Sequence, residues 1–223
     1  MNSITLKAYA KINLSIDVLG KRPDGYHEVL MVMQQVDLYD LVKVSWEAEG
    51  SGISLSTNLS YLPTDGRNIA YKAAERMAKE YYPEKAGRIA IEIEKSIPVA
   101  AGLAGGSANC AAVLHALNRI WDLKLGVQAL MGLGTSLGAD VPFCLAGQAA
   151  LNGELDLKKD FMAGTCAVAS GIGEKLEPIK PLRAWLILSK PPISLSTAQV
   201  YSGLNLKEVS EHPNTAELAA GLR

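Results

Sequence analysis

The chain has 223 residues, 48% hydrophobic and 20% charged, with 22 Lys and Arg against 23 Asp and Glu, for a formal net charge of −1. A chain this long buries roughly 70% of its unfolded surface, enough for one large or two small domains. Balanced charge without a basic block argues against nucleic acid as a partner. The absence of a leader pattern or of about 18 consecutive apolar residues argues against a membrane and for a cytoplasmic protein. Cys110, Cys144 and Cys166 are odd in number and lack metal-ligand spacing, so they read as buried reduced thiols.

From Ile4 to Val18 every even position is apolar, which predicts one long strand or two joined by a bend, with Lys11 and Asn13 sharing the other face. After a turn over residues 20–25, further strands are expected at 29–36, 41–46 and 53–56. Asn68 is a good N-cap for a helix reaching about Tyr81, and Ile89, Ile91 and Ile93 alternate in a strand over 88–94. Helices are expected over 107–121 and 127–137, an apolar strand over 183–189, a short helix from Ser196, and a last helix capped by Asn214. This mixed order of elements favours α+β over a doubly wound parallel sheet.

The segment Ile97-Pro-Val-Ala-Ala-Gly-Leu-Ala-Gly-Gly-Ser107 lies between a strand and a helix. Its small residues leave the backbone open to close approach, and the unpaired N–H groups and partial positive charge of a helix start suit a phosphate. Ser107 adds a hydroxyl for phosphate or Mg2+. The same composition also serves close packing of helix on sheet, and the glycines match neither a Walker loop nor a dinucleotide fingerprint. Asp140, in Leu137-Gly-Ala-Asp-Val-Pro142, is placed for a general base or for an ordinary turn. Lys11 and Asn13 fit a cleft wall or a solvated face, and Tyr26-His27 fits recognition of a flat ring or a partly buried pair. His115 and His212 carry no catalytic signal.

Four segments occur in one order: Ala10-Lys-Ile-Asn-Leu14, Arg22-Pro-Asp-Gly-Tyr-His27, the glycine-rich loop, and Leu137-Gly-Ala-Asp-Val-Pro-Phe143. Together they resemble the 4-diphosphocytidyl-2-C-methyl-D-erythritol kinase family, within the superfamily of galactokinase, homoserine kinase, mevalonate kinase and phosphomevalonate kinase. The resemblance implies a two-domain α+β fold of that type and transfer of the ATP γ-phosphate to the 2-hydroxyl of the cytidyl substrate in non-mevalonate isoprenoid synthesis. ATP and Mg2+ are the implied cofactors. It implies Asp140 as the base and Lys11 as its electrostatic partner, with Asn13, Tyr26, His27, Thr197 and Tyr201 on the substrate, Tyr26 and Tyr201 sandwiching the cytosine. Asn68, Lys95 and the loop residues Pro98, Val99, Ala100, Ala101, Gly102, Leu103, Ala104, Gly105, Gly106, Ser107 and Ala108 fall on ATP-side positions. Ala104 and Ala108 stand where the commonest version has Gly and Ser.

The resemblance sets an ATP-binding and catalytic domain at residues 1–153, an extra segment near 147–164, and a partial substrate-side domain at 165–223 that is about a quarter of the family's length short. The extra segment looks like an imperfect duplication, with residues 145–151 and 162–168 aligning at an offset of 17. Which copy supplies the family strand stays open. Two rival readings also stay open: a nucleotide-binding homologue without turnover, and a sibling kinase acting on homoserine or a mevalonate-type acid.

Overall fold

The structure is a computed structural model that describes residues 2–84, 86–191, 193 and 197–223. A six-stranded mixed sheet is formed by β1 (Ser3–Lys21), β2 (His27–Glu47), β3 (Gly52–Thr57), β4 (Arg88–Glu94), β5 (Cys166–Gly171) and β6 (Lys175–Pro178). All pairings are antiparallel except β3 with β4, which α1 (Ile69–Tyr81) connects. β2 is the backbone of the sheet: one side pairs with β1 along its length, and the other pairs with β5 at residues 29–34 and with β4 at 41–47.

The alternation predicted for β1 places Ile4, Leu6 and Ala8 in the core with Val42, Val44, Ile89, Ile91 and Ile93. Over that face lie α1, α2 (Gly105–Ile120), α3 (Val127–Thr135) and α4 (Val141–Leu151). The two strands expected at 29–36 and 41–46 are a single strand. Four residues of β2 advance against two of β1 between the Tyr9–Tyr39 and Lys11–Gln35 pairs, and this irregularity breaks the alternation without breaking the ladder. The helix expected to reach 137 ends at Thr135. No strand forms at 183–189, because a strand needs a ladder neighbour: the Gln34 side-chain amide pairs with the backbone of Leu182, and beyond it Trp185 and Ile187 are almost fully exposed. The short helix α5 (Thr197–Ser202) begins one residue after Ser196, which lies outside the described residues, and Asn214 caps α6 (Thr215–Gly221) by accepting from the Glu217 N–H.

Helix α4 has no counterpart in the sequence reading. Nine of its eleven residues are buried, so it lacks the polar face whose period would reveal it. Of the near-repeat, residues 145–151 complete this helix, while 162–168 lead into β5. The polar stretch between them is built into the fold. Asp160 accepts from the Val127 N–H at 2.9 Å, giving α3 the cap that Gly126 cannot supply, and Asn152 pairs its amide with the N–H and C=O of Lys7 at the edge of β1.

His115 of α2 is fully buried, with Nε2 at 3.0 Å from the Leu145 carbonyl, and burial pushes its imidazole down to about 4. Between that value and its ordinary 6.5 the unfolded chain binds the extra proton, so stability falls as pH drops through this window, by about 1.4 kcal/mol per pH unit. Urea unfolding from pH 6.5 to 4 should show this slope in the wild type and a flatter one in His115→Leu. Equal slopes would contradict the assignment.

Candidate active site

β1 is an edge strand, and the N–H of Lys11 that points away from β2 donates to the Leu103 carbonyl at 3.1 Å. The glycine-rich loop is thereby held as a neighbour of the strand. Its backbone is left-handed at Ala100 (φ 53°), Gly102 (φ 73°) and Ala104 (φ 56°), and Ala104 is the N-cap of α2. No side chain caps α2, so its first-turn N–H groups at 105–107 face the loop as open donors. Gly106 packs on Ile69, so α1 and α2 start side by side. Ser107 Oγ lies 3.7 Å from where a Cβ on Gly138 would sit, which sets the end of the loop against the approach to Asp140. Ala108 is buried, and its carbonyl accepts from Gln148 Nε2 at 2.8 Å.

Asp140 is the N-cap residue of α4, but its carboxylate caps nothing. Pro142 in the first turn needs no N–H partner, and the side chain turns instead toward Lys11, Oδ2 standing 3.8 Å from Nζ. The Lys11 side chain is 7% exposed and that of Asp140 34%, so a buried cation meets a carboxylate open to solvent. Lys11 Nζ also donates to Asn13 Oδ1 at 3.3 Å, as their shared face predicts. Lys11, Asn13 and Asp140 are thus brought together beside the loop.

The turn before Tyr26 is locked by its own chemistry. Arg22 holds Asp24 and Glu28, Asp24 accepts from the Tyr26 N–H at 3.1 Å, and Gly25 takes φ 88°. Tyr26 emerges 58% exposed. His27 stacks on Tyr201 of α5, ring centroids 4.9 Å apart and 24° from parallel, so Tyr201 lies over His27 in this structure rather than across from Tyr26. Burial, with the Asp140 carboxylate adding, raises the Tyr201 phenol above its ordinary range and ties this ring to the same locality. Thr197 begins α5, and its side chain lies outside the described residues.

Asn68 caps α1, accepting from the Ala70 N–H and donating to the Pro63 carbonyl. Lys95 is buried and directs its ammonium at Asp40 and at Asn109 Oδ1, 3.1 Å away. Sequence reasoning missed Asp40 and Asn109. The available signal was an acidic residue flanked by Leu38, Tyr39, Leu41 and Val42 within a strand and an Asn in the second turn of an alanine-rich helix. A groove of about 370 Å³ around Lys43 and Glu92 lies elsewhere, and Lys11 and Asp140 do not line it. No helix among the described residues is long and apolar enough to cross a membrane, and no cluster of three or more metal-ligating His, Cys, Asp or Glu is found among them.

The family of GHMP kinases, N terminal domain, matches residues 68–148. Over 224 residues the chain is 49% identical to a 4-diphosphocytidyl-2-C-methyl-D-erythritol kinase of Alkaliphilus metalliredigens, covering all of this chain and 70% of that protein. A protein of the same name from Clostridioides difficile is 46% identical over 225 residues, with 69% of it covered. A solved 4-(cytidine 5'-diphospho)-2C-methyl-D-erythritol kinase superposes with a TM-score of 0.69 at 29% identity, over 98% of this chain and 71% of that one. A homoserine kinase from Cytophaga hutchinsonii shares the fold, with a TM-score of 0.62 at 16% identity over all of this chain and 68% of its own.

The left-handed Ala104 gives a direct check on the loop. An L-residue there costs about 1–2 kcal/mol, of which glycine's freedom in the unfolded chain returns part. Ala104→Gly is therefore expected to raise the unfolding free energy by about 0.5–1 kcal/mol in urea titrations. A loss of stability would show that the backbone is not held in this conformation.

Proposed function

Since the chain belongs to the 4-diphosphocytidyl-2-C-methyl-D-erythritol kinase family, we propose that its geometry serves transfer of the ATP γ-phosphoryl group to the 2-hydroxyl of that cytidyl substrate. The observation that carries the residue-level reading is the Lys11–Asp140 pair at 3.8 Å on the strand whose Lys11 N–H holds the glycine-rich loop. In this reading the open N–H groups of residues 105–107 and the loop backbone take the triphosphate. The uncapped carboxylate of Asp140 accepts the proton of the attacking hydroxyl, and Lys11 orients Asp140 and offsets charge on the moving phosphoryl oxygens.

Mg2+ suits this donor set as an ion carried mainly by the triphosphate and water, a habit that asks for only one or two protein oxygens. In this reading Ser107 would offer it a hydroxyl, and the ion would neutralise phosphate charge. On the substrate side, Asn13 supplies a polar wall beside Lys11, and Tyr26, held by the Arg22–Asp24 turn, offers an exposed face to a flat base. With Tyr201 stacked on His27, the base enters by separating that pair or by taking the Tyr26 side. Thr197 is assigned to the substrate by its motif.

Release of ADP from MgATP and the cytidyl substrate tests the assignment. Asp140→Asn preserves size and should lower turnover by about 10²–10⁴-fold, with ATP affinity little changed. A variant that retains the wild-type rate would remove Asp140 from the role of base. ATP binding by a wild-type chain with no turnover would favour the rival reading of a nucleotide-binding homologue.

A further inference from the structure

Asp40 is completely buried in β2, one residue beyond the point where β4 stops pairing with it. Its Oδ1 accepts from the N–H groups of Ser96 at 2.7 Å and Ile97 at 2.8 Å. Its Oδ2 accepts from Asn109 Nδ2 at 2.8 Å and from the ammonium of Lys95. Four donors therefore converge on one carboxylate, and they come from both ends of the glycine-rich loop. Ser96 and Ile97 are its entry, and Asn109 is the fifth residue of the helix into which it runs.

This convergence answers a specific need. A loop left-handed at positions 100, 102 and 104 persists only where its surroundings over-determine it. Asp40 fixes both ends, and the Lys11 N–H fixes the middle at Leu103. The ammonium of Lys95 lies 3.0 Å from where a Cβ on Gly105 would sit, so the first turn of α2 rests directly on it. That charge is spent inward on Asp40 and Asn109, so a phosphate would meet backbone donors rather than this lysine.

We propose that Asp40 is a positioning residue for ATP: acting through Ser96, Ile97, Lys95 and Asn109, it sets the spacing and direction of the loop donors without touching the nucleotide. The inference rests on the ATP-side reading of the loop given above. It differs from a role in stability alone, because displaced donors weaken nucleotide binding in molecules that are fully folded.

Two variants separate these roles in the full chain. Asn109→Ala removes the helix arm while keeping the Asp40–Lys95 ion pair and both backbone bonds, so it should fold. Asp40→Asn, which leaves Lys95 buried without its counter-charge, is the more severe change. The readouts are titration with a fluorescent ATP analogue, titration with CMP, and amide hydrogen exchange over residues 98–104. The expected result for Asn109→Ala is ATP affinity weakened about tenfold or more, faster exchange in the loop, and unchanged CMP affinity, since Asn109 makes two hydrogen bonds to charged groups, with Asp40 and Lys95, and losing even one has an effect of this size. Unchanged ATP affinity in Asn109→Ala with only a lower melting temperature would overturn the inference and leave the ATP-side reading standing. A wild-type chain that binds CMP but no ATP would overturn both.

Discussion

The candidate site hangs on the outer edge of β1. An edge strand presents a row of backbone groups without a ladder partner, and proteins must cover them. Here the covering is made by a loop and a side chain. The outward N–H of Lys11 donates to the Leu103 carbonyl of the glycine-rich loop, and Lys7 donates its N–H to, and accepts at its carbonyl from, the side-chain amide of Asn152. Further along the strand, Ser15 meets Thr215 and Asp17 meets His212. One strand thus presents the Lys11 side chain to Asp140 and its backbone to the glycine-rich loop, and the two cannot drift apart without breaking its edge contacts.

Charge is arranged in two tiers around that edge. The inner tier, Lys95 with Asp40, is buried on both sides and consumed by hydrogen bonds, which suits a structural clamp. The outer tier, Lys11 with Asp140, is loose at 3.8 Å and opens to solvent on the carboxylate side. A pair held at that distance leaves each partner free for a third group, whereas the Asp40 carboxylate of the inner pair already accepts from four donors. The same residue types therefore hold the loop in one place and, a short way off, form the loose pair to which the proposed chemistry is assigned.

Much of this was legible because local rules and the fold agree. Period-2 alternation found β1 and β4, an Asn cap found α1, and the loop's small residues marked a turn from strand to helix. The four motifs then placed Lys11 and Asp140 together, although nothing in their spacing fixes that. What stayed hidden has physical causes. Helix α4 is apolar all round, so no period betrays it, and a slip of register merges two apparent strands into β2. The run at 183–189 reads as a strand because its residues suit one, yet pairing is a long-range property that composition does not carry. Asp40 escaped because its four donors come from residues 95–109, and only the fold brings them to β2.

If the loop and the Lys11–Asp140 pair form a single phosphoryl-transfer site, as proposed, one bound nucleotide spans both. The most direct test is a crystal structure of the chain with a non-hydrolysable ATP analogue. The expected result is the triphosphate along the backbone of residues 98–108, with its terminal phosphate beside Lys11 and Asp140 on the side facing Tyr26. A nucleotide seated in the groove around Lys43 and Glu92, or a terminal phosphate pointing away from Lys11, would contradict it.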